Sequence, residues 1–392
     1  MSKKLNFKED VIEIVNSEQA DMSMYTLEIN LTDMCNFKCT YCFEGDHNKI
    51  RYNFLEKNTD LLIKRIYELL ENKWFKLIFK GLKIDFWGGE PTLNIPLMKI
   101  IIDEFKDNER VKFFIYTNGS RINKTLPILR ELNTKKISHN DRKVKVQVSY
   151  DGLPVHDMCR VDRKNNPTSA KVRNSLDILN DNDILFNLKS TITPENIKYM
   201  PKVWNDFNNL YYRFGDEINY APTLDYYKVI DNEKYFKELE ISLIKIAKKE
   251  IQFYKDNGRF LFSWFARNKI DCGVGLGMSC VDIDGKVYYC HGGISLDNNN
   301  EHFCFSKIYD KNLINSIKDN YYKFKSKVVI DECQRCEATI CLRCNIVKYI
   351  NSQKEDFLDK FYDYTSQPIL CKYYKLIGKI HRALALVIKG DI

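Results

Sequence analysis

The sequence predicts an α/β protein built around one parallel sheet. Several short segments alternate apolar and polar residues, as a half-buried strand requires. The segments between them repeat apolar residues every three or four positions, as a helix packed against a sheet does. Strands that alternate with helices pair in parallel through right-handed crossovers. We therefore expect strand–helix units in series along most of the chain.

Each element is predicted by its own pattern. The first strand is expected over 25–31, where Tyr25, Leu27, Ile29 and Leu31 share a face. Further strands are expected at 82–87, 112–117, 144–150, 184–192 and around 217–220. Helices are expected at 60–71, 96–105, 125–132, 171–179, 234–257 and 372–389. The last is amphipathic, which favours a docking or core helix over one that lies on a membrane surface.

Composition limits the classes of function. The 392 residues include 61 basic and 53 acidic side chains that are interleaved along the chain, so we expect no nucleic-acid partner. No apolar run approaches the roughly 20 residues that span a bilayer. The N-terminus also lacks the apolar core of a signal peptide. We therefore expect a cytoplasmic protein that has no membrane partner and whose cysteines stay reduced.

A cysteine triplet directly follows the first predicted strand. Cys35, Cys39 and Cys42 are spaced C-x3-C-x2-C on a tight loop. Three thiolates can hold three irons of a four-iron cluster, whereas such a cluster ordinarily takes four. One iron would then stay open for chemistry. A zinc site or a purely structural cluster is the alternative.

Turn-forming and polar residues mark the ends of the next strands. They include Gly88-Gly89-Glu90, Asn118-Gly119, Asp151-Gly152 and Thr191. In β/α folds the carboxyl ends of the strands form the active face, and the cysteine loop belongs to the same face.

These motifs together resemble those of radical S-adenosylmethionine (SAM) enzymes. The resemblance implies a partial (β/α)6, TIM-like barrel in which SAM binds the open iron and yields a 5'-deoxyadenosyl radical. By this resemblance Tyr41 packs near the adenine, and Gly88, Gly89 and Glu90 receive the methionine amino group. Ser149 and Asp151 would contact the ribose or carboxylate of SAM.

Three further residues have weaker assignments in this SAM site. An arginine can pair with the SAM carboxylate in a bidentate manner, which suits Arg160, although an ordinary salt bridge is equally compatible. Asn118 and Thr191 would line the same pocket or act as ordinary turn and cap residues.

A second set of cysteines occupies the C-terminal third. It comprises Cys272, Cys280, Cys290, Cys333, Cys336, Cys341, Cys344 and Cys371. Eight thiolates can fill two complete four-iron clusters, and the alternative is structural zinc. Cys159 and Cys304 are left as packing residues.

This layout, with Gly285-x4-Cys290, resembles the cysteine-rich SPASM extension of radical SAM peptide maturases. The resemblance implies one auxiliary cluster on Cys272, Cys280, Cys290 and Cys344. It implies a second auxiliary cluster on Cys333, Cys336, Cys341 and Cys371. The last two gaps of the 333–344 run are each one residue shorter than the family spacing, which leaves the pairing of Cys341 and Cys344 open.

The resemblance covers about residues 24–375 and implies a peptide or protein maturase. The deoxyadenosyl radical would abstract hydrogen from a residue of a ribosomally made peptide, and oxidation or a crosslink would follow. Sulfatase-maturating enzymes, a close alternative, carry an aspartate after the third cysteine of the auxiliary set, where this chain has His291. His291 is the candidate catalytic base, because its pKa lies in the working range; a supporting hydrogen bond near the cluster is the alternative.

The full expectation is SAM and three [4Fe-4S] clusters, with an electron donor such as flavodoxin or ferredoxin. The expected organisation is an N-terminal segment (1–23), a radical SAM core (24–225), a helical bridge (226–270), the SPASM domain (271–375) and a C-terminal helix (376–392). Two other classes of function remain open at this point. They are a radical SAM dehydrogenase of a small molecule and a non-catalytic iron–sulfur or zinc protein.

Overall fold

A single sheet of nine strands organises the described part of the chain. The computed structural model describes residues 24–44, 53–134, 142–215, 218–225, 233–266, 273–296, 303–325, 335, 336, 338, 341 and 368–389. The predictions for Cys272, Cys333 and Cys344 lie outside these residues.

The strands in chain order are β1 (Met24–Asn30), β2 (Phe37–Cys39), β3 (Gly81–Trp87), β4 (Val111–Thr117), β5 (Val144–Ser149), β6 (Arg160–Asp162), β7 (Phe186–Ile192), β8 (Asn219–Leu224), β9 (Met278–Val281), β10 (Lys286–Tyr288) and β11 (Cys304–Lys307). The sheet order is β11-β10-β9-β1-β3-β4-β5-β7-β8. The six strands from β1 to β8 in this order pair in parallel, as the alternation of strands and helices predicts. The described strands form an open sheet rather than a closed barrel.

The α-helices are α1 (Phe54–Lys57), α2 (Thr59–Glu71), α3 (Lys73–Ile78), α4 (Ile95–Phe105), α5 (Ile122–Asn133), α6 (His156–Cys159), α7 (Ser169–Asp181), α8 (Met200–Phe214), α9 (Glu233–Asn257), α10 (Ser263–Ala266), α11 (His291–Leu296), α12 (Leu313–Lys325) and α13 (Pro368–Lys389). All the strands and helices predicted from periodicity are confirmed, with ends displaced by a few residues. Among the described helices, none has the length and apolarity that a bilayer crossing needs.

Each central strand has one face packed into the core and one polar face. In β4, Val111, Phe113 and Ile115 are buried. Phe114 and Tyr116, which alternate with them along the strand, are partly exposed. Apolar faces of helices such as α4 and α7 complete the core. The polar face carries Glu28, Asp85 and Tyr116 on three neighbouring strands, so it is the face available for chemistry.

Two connections position the functional segments. A small antiparallel ribbon of β2 and β6 pairs Cys39 with Arg160. At the far edge of β1, β9 joins the sheet in parallel and places Cys280 opposite Glu28. The sequence patterns predict neither pairing.

The C-terminal helix α13 packs on α9. Tyr373 is buried against Tyr235 and Phe236, and Ile377 and Leu384 are buried on the same helix. The expectation of a docking or core helix is confirmed.

Candidate active site

The three N-terminal cysteines lie together on the loop that leaves β1. All three are half-buried and unbridged. Burial, with smaller contributions from nearby Glu90, Cys39 and Cys42, raises the pKa of Cys35 to about 12. Burial likewise raises the pKa of Cys42 to about 11. Ionising these thiols together would place like charges side by side, and a cationic iron centre would offset that repulsion.

The glycines after β3 clamp this loop. The N–H of Gly89 donates to the carbonyl of Thr32 at 2.9 Å, and that of Glu90 to Met34 at 2.8 Å. A Cβ on Gly88 would lie 2.3 Å from the Thr32 oxygen, and one on Gly89 would lie 2.5 Å from the Met34 oxygen. Gly88 also has φ +132°. Glycine is therefore required for the approach of backbone to backbone just before Cys35.

Glu90 is buried and joins the ends of β3 and β4. One carboxylate oxygen accepts hydrogen bonds from Thr117 Oγ1 (2.7 Å) and from the N–H and hydroxyl of Thr92. The other oxygen accepts from the N–H of Asn118 at 2.7 Å. Protein donors thus contact both oxygens of this carboxylate, and its role toward the amino group of SAM stays a prediction.

Asn118 connects this turn to the cysteine loop. Its side-chain amide donates to Asn36 Oδ1 at 2.9 Å and lies 3.9 Å from the sulfur of Cys35. The sequence prediction left open whether Asn118 lines the site or caps a turn. The structure shows both: its Oδ1 accepts from the N–H of Ser120 at 2.9 Å, as in a turn, and its amide lies beside the first cysteine.

Asp151 is the centre of a buried polar network. Its carboxylate accepts from Tyr41 Oη, from Arg160 Nε at 2.9 Å and from the N–H of Thr191 at 2.9 Å. Arg160 also lies over the Tyr41 ring, 5.1 Å from its centroid, and its Nη1 is 3.8 Å from the sulfur of Cys39. Four residues predicted from sequence thus meet at the cysteine loop: Tyr41, Asp151, Arg160 and Thr191.

His156 fixes the backbone of this network. The N–H of Asp151 donates to His156 Nδ1 at 3.3 Å, so the hydrogen resides on Nε2, which donates to Thr168 Oγ1 at 3.1 Å. Thr168 in turn donates to the Arg160 carbonyl at 2.7 Å. Burial lowers the pKa of His156 to about 4, so the ring is neutral near neutral pH.

Ser149 is less closely tied to the network. It is the half-buried last residue of β5, two positions before Asp151, and it pairs with Lys189 of β7. Its role toward SAM stays a prediction.

Cys280 and Cys290 lie at the opposite edge of β1. Both are buried, and burial raises the pKa of Cys280 well above its ordinary value, with further contributions from Glu28 and Cys290. Gly285 turns the chain between them with φ +79°. The two thiols are therefore close enough to interact electrostatically.

The remaining described cysteines are more dispersed. Cys336 and Cys341 pack against the main core, and Cys371 lies at the start of α13. Cys159 is buried, as expected of a packing residue. Within the described ranges, no three Cys, His, Asp or Glu residues form a group that could hold one metal ion. Cysteines of a four-iron cluster bind different irons, so they need not meet at one point.

His291 joins the second cysteine segment to the polar face of the sheet. Its Nδ1 lies 2.7 Å from Glu28 Oε1, and its N–H donates to Glu28 Oε2 at 3.0 Å. Its ring stacks on Trp87 with centroids 4.1 Å apart. Burial raises the pKa of Glu28, but the charge and hydrogen bonds of His291 outweigh it, and the pKa lies below its ordinary value.

Trp87 extends the contact to the first cysteine loop. Its Nε1 donates to Glu44 at 2.8 Å, two residues after Cys42. The contacts therefore run from Cys42 through Glu44 and Trp87 to His291 and Cys290.

Glu28 and Asp85 were not predicted as site residues. The two residues lie opposite each other on the paired strands β1 and β3. Burial raises the pKa of Asp85 to about 6 despite nearby Lys83, and its Oδ2 accepts from Tyr116. Alternation placed both on the polar face of a predicted strand, but it could not show that this face is buried, where a carboxylate without a partner is costly.

Comparison with known proteins is consistent with this geometry. Residues 29–193 match the Radical SAM superfamily. An uncharacterized protein from Methanocaldococcus jannaschii is 30% identical over 45% of this chain and 56% of its own length. The radical SAM cyclopropyl synthase TigE from Paramaledivibacter caminithermalis is 25% identical over 93% of this chain and 75% of its own. A cysteine-type anaerobic sulfatase-maturating enzyme from Clostridium perfringens is 25% identical over 77% of this chain and 83% of its own.

Solved structures show the same fold. The complex of anSMEcpe with AdoMet and the Cp18Cys peptide superposes with a TM-score of 0.65 at 18% identity, covering 94% of this chain and 99% of that one. Streptococcus suis SuiB bound to the precursor peptide SuiA gives a TM-score of 0.56 at 14% identity, over 91% and 79% of the two chains.

The segment 29–193 is a radical SAM domain. It contains the cysteine loop, the Gly88-Gly89 turn and the Asp151 network. The chain is related to peptide maturases and sulfatase maturases, and the superfamily that residues 29–193 match implies SAM and a [4Fe-4S] cluster.

Proposed function

We propose that this chain is a radical SAM maturase that modifies a ribosomally made peptide. The observation that carries the proposal is the contact from Glu44 through Trp87 to His291. Through it, a second cysteine segment reaches the polar face of the sheet beside the first cysteine loop. Such an arrangement suits an enzyme that removes hydrogen at one centre and needs a second metal centre nearby.

In this proposal Cys35, Cys39 and Cys42 hold a four-iron cluster with one open iron. The clamp of Gly88 and Gly89 on the loop fits this role, because it holds the backbone next to the cysteines. When bound, the cluster and SAM together supply a 5'-deoxyadenosyl radical.

Tyr41, Asp151, Arg160 and Thr191 form one side of the SAM pocket, with Asn118 and Ser149 at the adjoining strand ends. Asp151 orients Arg160, and burial raises the pKa of Tyr41, which keeps its hydroxyl protonated as a donor to Asp151. Arg160 lies close to Cys39, so its charge also offsets that of the thiolate. The bidentate pair of Arg160 in this geometry is with Asp151, which favours a positioning role.

Cys280 and Cys290 would belong to an auxiliary [4Fe-4S] cluster, completed by Cys272 and Cys344. Cys333, Cys336, Cys341 and Cys371 would hold the other. We retain the division into a core (24–225), a bridge (226–270) and an auxiliary domain (271–375) as part of the proposal. His291, held by Glu28 and Trp87, is the candidate base for a proton released from the substrate.

The comparisons support a peptide as the substrate. A relative that matches 93% of the chain is named a cyclopropyl synthase, and two structures of the same fold were solved with peptides bound. We expect the modified position to lose hydrogen and to gain a double bond, ring or crosslink. An electron donor of the flavodoxin or ferredoxin type would supply the reducing electron.

The test uses the peptide translated from a short open reading frame beside the gene. The reconstituted protein is incubated anaerobically with this peptide, SAM and dithionite, and the peptide mass is measured. Loss of hydrogen from the peptide, matched by deoxyadenosine formation, supports the proposal. Deoxyadenosine formation without a change in this peptide or in any other encoded nearby contradicts a peptide substrate.

Formylglycine formation is a second candidate, favoured by the likeness to sulfatase-maturating enzymes over 77% of the chain. The Cp18Cys peptide serves as the probe. Conversion of its cysteine to formylglycine would assign this activity. An unchanged peptide beside active SAM cleavage would favour the other maturase reactions, as His291 in place of the family aspartate does.

A further inference from the structure

A row of aromatic rings lies on the polar face of the sheet, close to the first cysteine loop. Trp87 of β3 meets Tyr116 of β4 edge to face with ring centroids 4.9 Å apart, and Tyr116 lies 4.8 Å from Phe114. All three rings are half-buried, and Phe114 is paired in register with Asp85, which belongs to the same face. We call Trp87, Tyr116, Phe114 and Asp85 the aromatic subsite.

The three rings are not used by the hydrophobic core. The residues that alternate with them along β3 and β4, such as Phe86, Phe113 and Ile115, are buried in the main core. Among the described residues, the three rings themselves belong to neither of the two buried apolar clusters. Adjoining aromatic rings that stay partly exposed are typical of a ligand-binding surface.

Asp85 gives this row a polar end with an open acceptor. The residue is 1% exposed, and its Oδ2 accepts from Tyr116 Oη at 3.2 Å and pairs with Lys83 Nζ at 3.1 Å. Its Oδ1 is also buried, and no hydrogen-bond donor contacts it within the described residues. Because a buried acceptor without a donor is costly, the open oxygen indicates a ligand group that donates to it.

Lys83 determines the charge of the subsite and covers it. Its ammonium supplies the counter-charge of Asp85 and lies 5.2 Å from the centre of the Phe114 ring. The carboxylate therefore needs no second cation, which favours a neutral donor. The lysine side chain is 34% exposed, and its flexible stem can swing into solvent to admit a ligand between Phe114 and Asp85.

From these observations we propose that the aromatic subsite binds a tyrosine or tryptophan side chain of the peptide substrate. The inference rests on the proposed function and names a residue class that the substrate must contain. The bound ring would pack on the aromatic row, and its hydroxyl or indole N–H would donate to Asp85 Oδ1. A phenylalanine or aliphatic side chain would leave this oxygen without a donor, and a cationic side chain would compete with Lys83.

The subsite is well placed for such a role. Trp87 donates to Glu44, two residues after Cys42, and its ring stacks on His291. A side chain bound against Trp87 would therefore lie between the two cysteine segments.

The first arm of the test changes the peptide and leaves the protein intact. Binding of the peptide encoded beside the gene is measured with the reconstituted full chain, without a reductant. Each tyrosine is replaced in turn by phenylalanine, and each tryptophan by 3-benzothienylalanine, which lacks the N–H. We expect one replacement to weaken binding about tenfold, because Oδ1 is then buried without a donor. Tight binding of a peptide that no such replacement weakens would overturn the inference.

The second arm changes the acceptor. In Asp85→Asn the amide oxygen should face Tyr116 and Lys83, which both donate to Oδ2 in the parent, so that the NH₂ replaces Oδ1. The open position then donates, and we expect about tenfold weaker binding of the unmodified peptide. Asp177→Asn is the control, because it removes a carboxylate that pairs with Arg213 at 2.6 Å on α7, and it should bind like the parent.

The combination of the two arms separates recognition from a structural role. We expect Asp85→Asn to cause no further loss with the peptide that lacks the donor, so that the two losses do not add. Losses that add would make the role of Asp85 structural and contradict the inference.

A third arm tests the rings. Phe114→Ala should weaken binding of the parent peptide severalfold, whereas Tyr212→Ala, which removes an exposed ring of α8, should not. Equal binding by these two variants would contradict the part given to the aromatic row. Failure of the parent protein to bind any peptide encoded beside the gene would contradict the proposed function and this inference with it. Modification of a peptide that contains neither tyrosine nor tryptophan would contradict the inference alone.

Discussion

At the scale of single residues, Asp151 explains how the predicted SAM site is organised. It is fully buried and accepts hydrogen bonds from Tyr41, Arg160 and Thr191, three residues far apart in sequence. The motif at 149–152 indicated a functional position. The sequence did not indicate that Asp151 is also the partner of Arg160, because side-chain pairing depends on the ribbon that places Arg160 opposite Cys39.

Asp151→Asn should weaken SAM binding at least about tenfold and lower the free energy of unfolding by about 3 kcal/mol. An amide cannot accept from all of these donors, and it leaves the buried Arg160 without a counter-charge. Equilibrium dialysis with SAM and chemical denaturation measure the two effects. Asp157→Asn is the matched control, because it removes a capping carboxylate from the same segment and should leave SAM affinity unchanged.

His156 gives a prediction for the pH dependence of stability. Its pKa is about 4 in the folded chain and 6.5 as the ordinary value, so folding favours the neutral ring. The contribution is fully present above pH 6.5 and is lost as pH falls toward 4. The difference of 2.5 pKa values (6.5 minus 4) corresponds to about 3 kcal/mol.

His156→Asn cannot titrate, so it should lose less unfolding free energy than the parent between neutral pH and about pH 4. Denaturant titrations at several pH values give the two slopes. Other acidic groups titrate equally in both proteins and cancel in the difference. Identical slopes would mean that His156 is not held neutral by the fold.

At the scale of elements, periodicity predicted the strands and helices but not their neighbours. The patterns at 82–87, 112–117 and 144–150 correspond to β3, β4 and β5, because each has one apolar face against helices. No local pattern could show that β9 returns to pair with β1, since this pairing spans the whole core in sequence. It is this contact that sets Cys280 beside Glu28 and brings His291 to Trp87.

Glu250 shows how one element is held in place. This fully buried residue of α9 accepts from Trp204 Nε1 of α8 at 2.7 Å and from the N–H groups of Leu261 and Phe262. Burial raises its pKa to about 7. The carboxyl group therefore joins two helices to the segment that enters α10.

Glu250→Gln should lower the free energy of unfolding by about 2 kcal/mol. The amide NH₂ of glutamine would face a buried N–H donor, and one group would stay unsatisfied. Chemical denaturation measures the change. Glu240→Gln, on the same helix at a partly exposed position, should change stability by less than about 0.5 kcal/mol; an equal effect of the two variants would exclude the role given to Glu250.

At the scale of the whole molecule, the cysteine spacing carries a prediction of cluster chemistry but does not show which cysteines the fold brings together. The C-x3-C-x2-C spacing is sufficient to predict a cluster loop, because the three proposed ligands lie within eight consecutive residues. The assignment of the other eight to two centres could not follow from spacing alone. Of these, Cys280 and Cys290 are brought together by β9 and β10, strands that the sequence patterns did not predict.

Metal analysis after anaerobic reconstitution tests the number of centres. We expect about twelve irons per chain, for three four-iron clusters, and about eight after Cys35, Cys39 and Cys42 are replaced by alanine. Replacing Cys280 and Cys290 should remove about four irons while the first centre remains. About four irons accompanied by zinc would instead make the second cysteine set structural.

The measurement that tests the central claim most directly is 5'-deoxyadenosine formation from SAM with dithionite. The comparison is between the iron-loaded parent chain, Cys39→Ala and Cys304→Ala, the last being a cysteine outside the proposed ligand sets. The account predicts deoxyadenosine from the parent and from Cys304→Ala, and none from Cys39→Ala. Intact SAM in the presence of fully iron-loaded, reduced parent protein would contradict the assignment of a radical SAM active site to the cysteine loop.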